Sequence, residues 1–207
     1  WIDVYWCGHS IRRAGEVFRD VGLLEEQLAQ RVHYHWMGVG GLRRDQLDFN
    51  LQTAFGEGRR PLPDIVIIHA GGNDLIPGGR QTVREMLFRA LAGVRQRWPQ
   101  AKIFWSEIIP RACWAQGAPA PPLNKSVEKL NRSVEKILKG SSMTTIRHKL
   151  LTHRNAGFFH RDGVHLSTRG SEVLLQAVLG AIEQEISRLR GRARCASSLG
   201  ALWRRWG

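Results

Sequence analysis

Cysteine is scarce in this chain. Cys7, Cys113 and Cys195 lie far apart and are odd in number among 207 residues. They fit neither a disulfide framework nor a metal-ligand spacing, and they favour a reducing, intracellular compartment. Cys7 closes an apolar run, where a buried and inert thiol is expected. Long apolar runs are also missing: none approaches the roughly 20 residues that a membrane helix requires. The chain opens on Trp1 with no Met and no signal-peptide pattern. It therefore reads as an excerpt of a longer open reading frame. Acidic residues are few, 18 against 31 Lys and Arg, giving a formal net charge of +13.

The charge is uneven. Six arginines and no acid fall between Arg188 and Gly207, so about half of the excess sits in a short tail. A solvated basic tail is the plain reading, and a weak electrostatic contact with nucleic acid or an anionic membrane is permitted. Domain 1–187 and tail 188–207 are the expected division. The tail intersperses Leu189, Leu199, Leu202, Trp203 and Trp206 among its arginines. An amphipathic segment, a disordered one and the start of a further domain all remain open for it. Hydrophobic residues make up 43% of the chain, enough for one sizeable core without a staple. The chain is expected to be a monomer.

Short β-like runs alternate with helical patterns. Strands are expected at Ile2 to Trp6, Arg31 to Met37, Asp64 to His69, Lys102 to Ile109 and, more weakly, Met143 to Arg147. The run Ile65-Val66-Ile67-Ile68 is continuously β-branched, as befits a strand covered on both faces. Helical faces follow at Val83, Met86, Leu87, Ala90, Leu91 and Val94, and at Val127, Leu130, Val134, Ile137 and Leu138. Val173, Leu174, Ala177, Val178, Ala181, Ile182 and Ile186 form another, and Leu47, Leu51 and Phe55 a shorter one. Residues 11–28 are also helical in pattern, whereas Ala115 to Pro122, rich in Pro, Ala and Gly, reads as a surface loop. Alternating β and α implies a parallel sheet with helices on both faces.

In such a sheet, reactive groups gather at the carboxyl ends of the strands. Four blocks lie at strand exits: Gly8-His9-Ser10, Gly38-Val39-Gly40-Gly41, Gly71-Gly72-Asn73-Asp74 and Asp162-Gly163-Val164-His165. Taken alone, each has an ordinary reading. Ser10 would be a helix N-cap, the glycines a turn, Asn73 an Asx-type turn, and Asp162 and His165 a helix start with a surface imidazole. Together they supply a catalytic set. Ser10 is the candidate nucleophile and needs a base to take its proton. His165 is the candidate base, with Asp162 three residues earlier to hold Nδ1 and leave Nε2 for the serine. The backbone N–H groups of Ser10 and Gly41 and the Asn73 amide are the candidate oxyanion donors.

These blocks, in this order, resemble those of the SGNH (GDSL-type) serine hydrolases, from Gly8 to about Ile186. The resemblance implies a flavodoxin-like three-layer α/β/α sandwich on a five-stranded parallel sheet. It implies an esterase, lipase, thioesterase or carbohydrate deacetylase acting on a small acyl-ester or acetylated substrate, with no metal and no organic cofactor. It assigns Ser10 as nucleophile, Asp162 and His165 as the triad partners, and Ser10, Gly41 and Asn73 as the oxyanion hole. One departure stands out: the first block usually reads Gly-Asp-Ser, and here it is Gly8-His9-Ser10. A narrower similarity is to the SGNH-like domain of vertebrate DIRS and Ngaro retroelement polyproteins. It adds the stretches from Trp36 to Leu47 and from Trp105 to Arg111, and implies a mobile-element origin.

Three rivals are weaker. An α/β-hydrolase elbow would need Gly where Arg12 stands. A catalytically silent module that binds nucleic acid or a protein is motivated by the charge. A metal site at His33, His35 or His160 lacks the carboxylates or thiolates to complete it. His69 ends a buried strand, as a structural hydrogen-bonding group or part of the site wall. Trp36, Trp105 and Trp114 are expected in the core.

Overall fold

The computed structural model describes residues 1–8, 15–16, 32–38, 61–114 and 120–206, the last stretch with side chains to Gly191. Five parallel strands, β1 (Ile2–Gly8), β2 (Val32–Gly38), β3 (Ile65–His69), β4 (Lys102–Ser106) and β5 (Thr144–Ile146), form one sheet in the order β2-β1-β3-β4-β5. All five expected strands are present. Three helices are described: α1 (Leu75–Arg97), α2 (Ala120–Leu138) and α3 (Thr168–Trp206). Expected helical stretches 11–28 and 47–55 lie outside the described residues, apart from a helical pair at 15–16.

Period-two alternation sorts the strand side chains into two cores. Tyr5, Cys7, Val66, Ile68, Ile103 and Trp105 face α1 and α2, whereas Val4, Trp6, Ile65, Ile67, Phe104 and Ile146 face α3. The result is a three-layer α/β/α sandwich. Each fully buried aliphatic side chain contributes roughly 1.5–3 kcal/mol, so the α1 stripe of Val83, Leu87, Leu91 and Val94 anchors its layer strongly. That stripe is the one expected from the sequence.

Three details differ from expectation. First, β4 ends at Ser106 rather than Ile109. Beyond Glu107, whose N–H reaches the Ile146 carbonyl at 3.1 Å, two side chains replace a neighbouring strand. Asn131 accepts from Ile108 N–H at 3.3 Å and donates to its carbonyl at 2.9 Å. Asn124 does the same for Arg111, at 3.0 and 2.8 Å. Second, the buried stripe of α2 is therefore Asn124, Val127, Leu130, Asn131, Val134 and Leu138, and Ile137 is turned to solvent. The two asparagines lie seven residues apart, hence on one helix face. Third, α2 begins at Ala120, so Ala120, Pro121 and Pro122 form its first turn instead of a loop. Proline fits there because first-turn N–H groups have no helical partner. Residues 115–119 lie outside the described part.

The backbone of α3 continues without a break past 187, the expected end of the domain, to Trp206. Arg188 bonds the buried Glu185 carboxylate through Nε at 2.9 Å to each oxygen. No helix among the described residues is long and apolar enough to cross a membrane. Burial pushes the Cys7 thiol up to about 12, which makes it inert at neutral pH. Trp105 and Trp114 are core residues, and Trp36 packs half-buried against Gly15.

Candidate active site

The strand order reverses direction between β1 and β3, since β1 leads to β2 on one side and β3 to β4 on the other. In open parallel sheets, ligands bind at such a switch point, outside the carboxyl ends of the strands. Gly8, the last residue of β1, is in register with Gly38 of β2 and His69 of β3. Ser10 follows Gly8 by two residues and Asn73 follows His69 by four. Ser10 and Gly41 themselves lie outside the described residues.

Asn73 is half-buried in the turn between β3 and α1. Gly71 makes that turn with φ +106, and a Cβ on it would come within 2.8 Å of Val83 Cγ1 and 3.0 Å of Ile108 Cδ1. The loop can therefore lie flat on the core only with glycine there. Asp74 occupies the N-cap position of α1 without a side-chain cap bond, and the helix kinks at Gly79.

Asp162 and His165 stand together on the loop before α3. Asp162 Oδ2 meets His165 Nδ1 at 2.6 Å, while Oδ1 accepts from the backbone N–H of Val164 at 2.9 Å and of His165 at 3.0 Å. One carboxylate thus bends the loop and holds the ring, leaving Nε2 on the ring's other edge. Burial pushes the Asp162 carboxyl up, but the bonds from the His165 ring and the two backbone N–H groups outweigh it. The group is held well below the usual carboxylate range and stays ionised at neutral pH. The loop is pinned from two sides. His160 N–H donates to the His165 carbonyl at 2.8 Å, and Cys113 N–H to the Gly163 carbonyl at 2.9 Å.

Between Asn73 and Asp162 lies a cation whose role the sequence did not reveal. Arg111 is buried, and its Nη2 donates to Asn73 Oδ1 at 2.9 Å. Its guanidinium lies 4.8 Å from the centre of the Trp114 ring, and the Trp114 indole N–H donates to Asn124 Oδ1 at 3.0 Å. Burial lowers the Arg111 pKa to about 10, opposed by the nearby Asp162 carboxylate. The group remains charged at neutral pH.

A second feature went unread. His69 Nδ1, Ser106 Oγ and His148 Nε2 form a buried chain, with contacts of 2.9 and 2.7 Å. Ser106 is fully buried and both imidazoles nearly so. The hydroxyl has one proton, so it donates to one ring and accepts from the other. Burial lowers the His69 pKa to about 4, helped by Arg111 and opposed by a hydrogen bond with the Ser106 backbone. Burial, then His69, lowers that of His148 to about 3. Both rings are neutral near pH 7. His69 is thus a hydrogen-bonded structural group at the carboxyl end of β3.

His33 and His35 both face Asp3. His35 Nε2 meets Asp3 Oδ1 at 2.8 Å and His33 Nδ1 lies 3.5 Å from the same atom. No three His, Cys, Asp or Glu side chains among the described residues converge to hold a metal ion.

The chain and its sheet are similar to those of known proteins. Residues 6–173 match the GDSL-like lipase/acylhydrolase family, and the chain belongs to it. A GDSL-like lipase from Bacteroides thetaiotaomicron has the same fold, at 17% identity over 88% of each chain with a TM-score of 0.66. A member of the lipolytic G-D-S-L family from Veillonella parvula is 15% identical over 87% of this chain and 97% of that one, with a TM-score of 0.68. A family 3 carbohydrate esterase from Clostridium thermocellum is 16% identical over 91% and 98%, with a TM-score of 0.66. No curated protein sequence matches the chain. At these identities the likeness is one of fold.

Proposed function

We propose that this chain is a serine ester hydrolase acting on small acyl esters or acetylated sugars, with Ser10 as nucleophile. His165 Nε2 takes the Ser10 hydroxyl proton as Oγ bonds to the acyl carbon. Asp162 keeps the imidazole oriented and stabilises its charged form. The oxyanion is held by the N–H groups of Ser10 and Gly41 and by the Asn73 amide. Collapse expels the alcohol, which takes the proton from His165. Water, deprotonated by the same ring, then attacks the acyl carbon, and the acid and free serine result. The steps balance without a metal or cofactor. The single observation that carries this reading is the Asp162–His165 contact of 2.6 Å on one loop at the carboxyl edge where β3 delivers Asn73. Family membership supports acyl chemistry, and the carbohydrate-esterase neighbour is the reason to include sugar esters among the substrates. The similarity of the blocks to retroelement polyproteins supports a mobile-element origin.

A fluorophosphonate probe tests the reading. The folded wild-type protein is expected to be labelled and Ser10→Ala to remain unlabelled with an unchanged circular dichroism spectrum. A folded wild type that takes no label overturns it. The net charge of +13, about half of it in residues 188–207, favours a second reading, a silent module that binds nucleic acid. In that reading 1–187 is the folded scaffold and 188–207 its basic appendage. Affinity for DNA or RNA should then fall steeply with salt and with removal of the appendage. Binding insensitive to both refutes it.

A further inference from the structure

The geometry points to Arg111 as a positioning residue that fixes the Asn73 amide for oxyanion binding, an inference that rests on the proposed ester hydrolysis. A carboxamide presents an acceptor and a donor on the two arms of one planar group, and either arm can face a neutral partner. A guanidinium has donors only. The contact of Arg111 Nη2 at 2.9 Å therefore selects Oδ1, and the Nδ2 hydrogens are turned to the other side. Without the cation, a half-turn about the last torsion of Asn73 would present an oxygen to a developing oxyanion and repel it.

The charge also strengthens the donor. A charge-assisted bond at Oδ1 draws electron density from the amide nitrogen, and inside a protein hydrogen bonds polarise one another. Arg111 is held stiffly enough to do this. Its backbone N–H and carbonyl are both bound by Asn124, and its guanidinium lies over the Trp114 ring, whose indole N–H bonds the same asparagine. A buried cation needs compensation, and Asp162 attracts it from the Asp-His loop. The arginine thus ties the oxyanion residue and the triad carboxylate into one electrostatic unit. It sits 38 residues from Asn73 in sequence.

A double-mutant cycle with a spectroscopic arm tests this. Arg111→Met, similar in length and uncharged, is compared in wild-type and Asn73→Ala backgrounds. Asn73→Ala should lower kcat by about 10²–10³-fold. Arg111→Met should lower kcat by roughly 10–100-fold with KM little changed, and should add nothing in the Asn73→Ala background. Losses that multiply overturn the inference and leave the hydrolase reading standing. The second arm does not need turnover. The side-chain amide pair of Asn73 is identified in a ¹H–¹⁵N spectrum by its loss in Asn73→Ala. In Arg111→Met that pair should shift and exchange faster with solvent. An unmoved pair overturns the inference. If Arg111→Met does not fold, Arg111→Gln is read in the same way, since a neutral amide can pair with either arm of the Asn73 amide. If the wild type neither turns over esters nor takes the probe, the hydrolase reading fails, and the amide pair still decides whether Arg111 orients Asn73.

Discussion

Acidification should unfold this protein through His69 and His148, and the size of the effect follows from their burial. Unfolded, each imidazole titrates near 6.5; folded, His69 titrates near 4 and His148 near 3. Between these values the unfolded chain binds protons that the folded chain refuses. Stability therefore rises with pH through this window and is lost as pH falls from about 6.5. At pH 5 each ring has cost about 2 kcal/mol, or about 4 kcal/mol for the pair, against a typical total of roughly 5–15 kcal/mol. For a chain of this size that is a fall of about 8–16 °C in Tm. Other groups titrate over the same range, so the decisive comparison is with His148→Gln. Its amide can still donate to Ser106 Oγ but cannot take a proton. Urea unfolding followed by circular dichroism at pH 7 and pH 5 should show the variant losing about 2 kcal/mol less than the wild type. Equal losses in the two proteins would refute the assignment of His148 as a buried neutral ring.

Asn124→Ala removes the partner of three polar groups at once, the Arg111 N–H and carbonyl and the Trp114 indole N–H. At about 1 kcal/mol per bond, urea titration should show a loss of about 3 kcal/mol, and kcat should fall as Arg111 loses its anchor. A loss below about 1 kcal/mol would show that these bonds are replaced by water. Asp162→Asn keeps Oδ1 as acceptor for the Val164 and His165 N–H groups, so the loop should stay folded. It replaces Oδ2, which faces His165 Nδ1, and turnover should fall by on the order of 10⁴-fold. A change of less than tenfold would remove Asp162 from the proposed triad.

The strands were legible because a β-branched run such as Ile65 to Ile68 needs no distant information. The Asp162–His165 pair was legible for the same reason: three residues of spacing suffice for one side chain to reach the other. The extent of β4 was misjudged because Ile108 and Ile109 have strand character, while the groups that meet the backbone of Ile108 and Arg111 are asparagines on α2. Periodicity marks polar residues as outward, so a buried Asn on a helix stripe is read as a gap.

By itself, then, the sequence determined what depends on near neighbours: alternation in the strands, the stripe of α1, the turn at Gly71 and the local bond of Asp162 to His165. Tertiary structure alone decided that Arg111 meets Asn73 across 38 residues and that Ser106 joins His69 to His148 across 37 and 42. The physical reason is that a single arginine, serine or asparagine carries no periodic signal. Its role appears only when the parallel sheet brings the ends of β3 and β4 side by side, excludes water from them, and leaves each polar group to bond with whatever the fold has placed opposite.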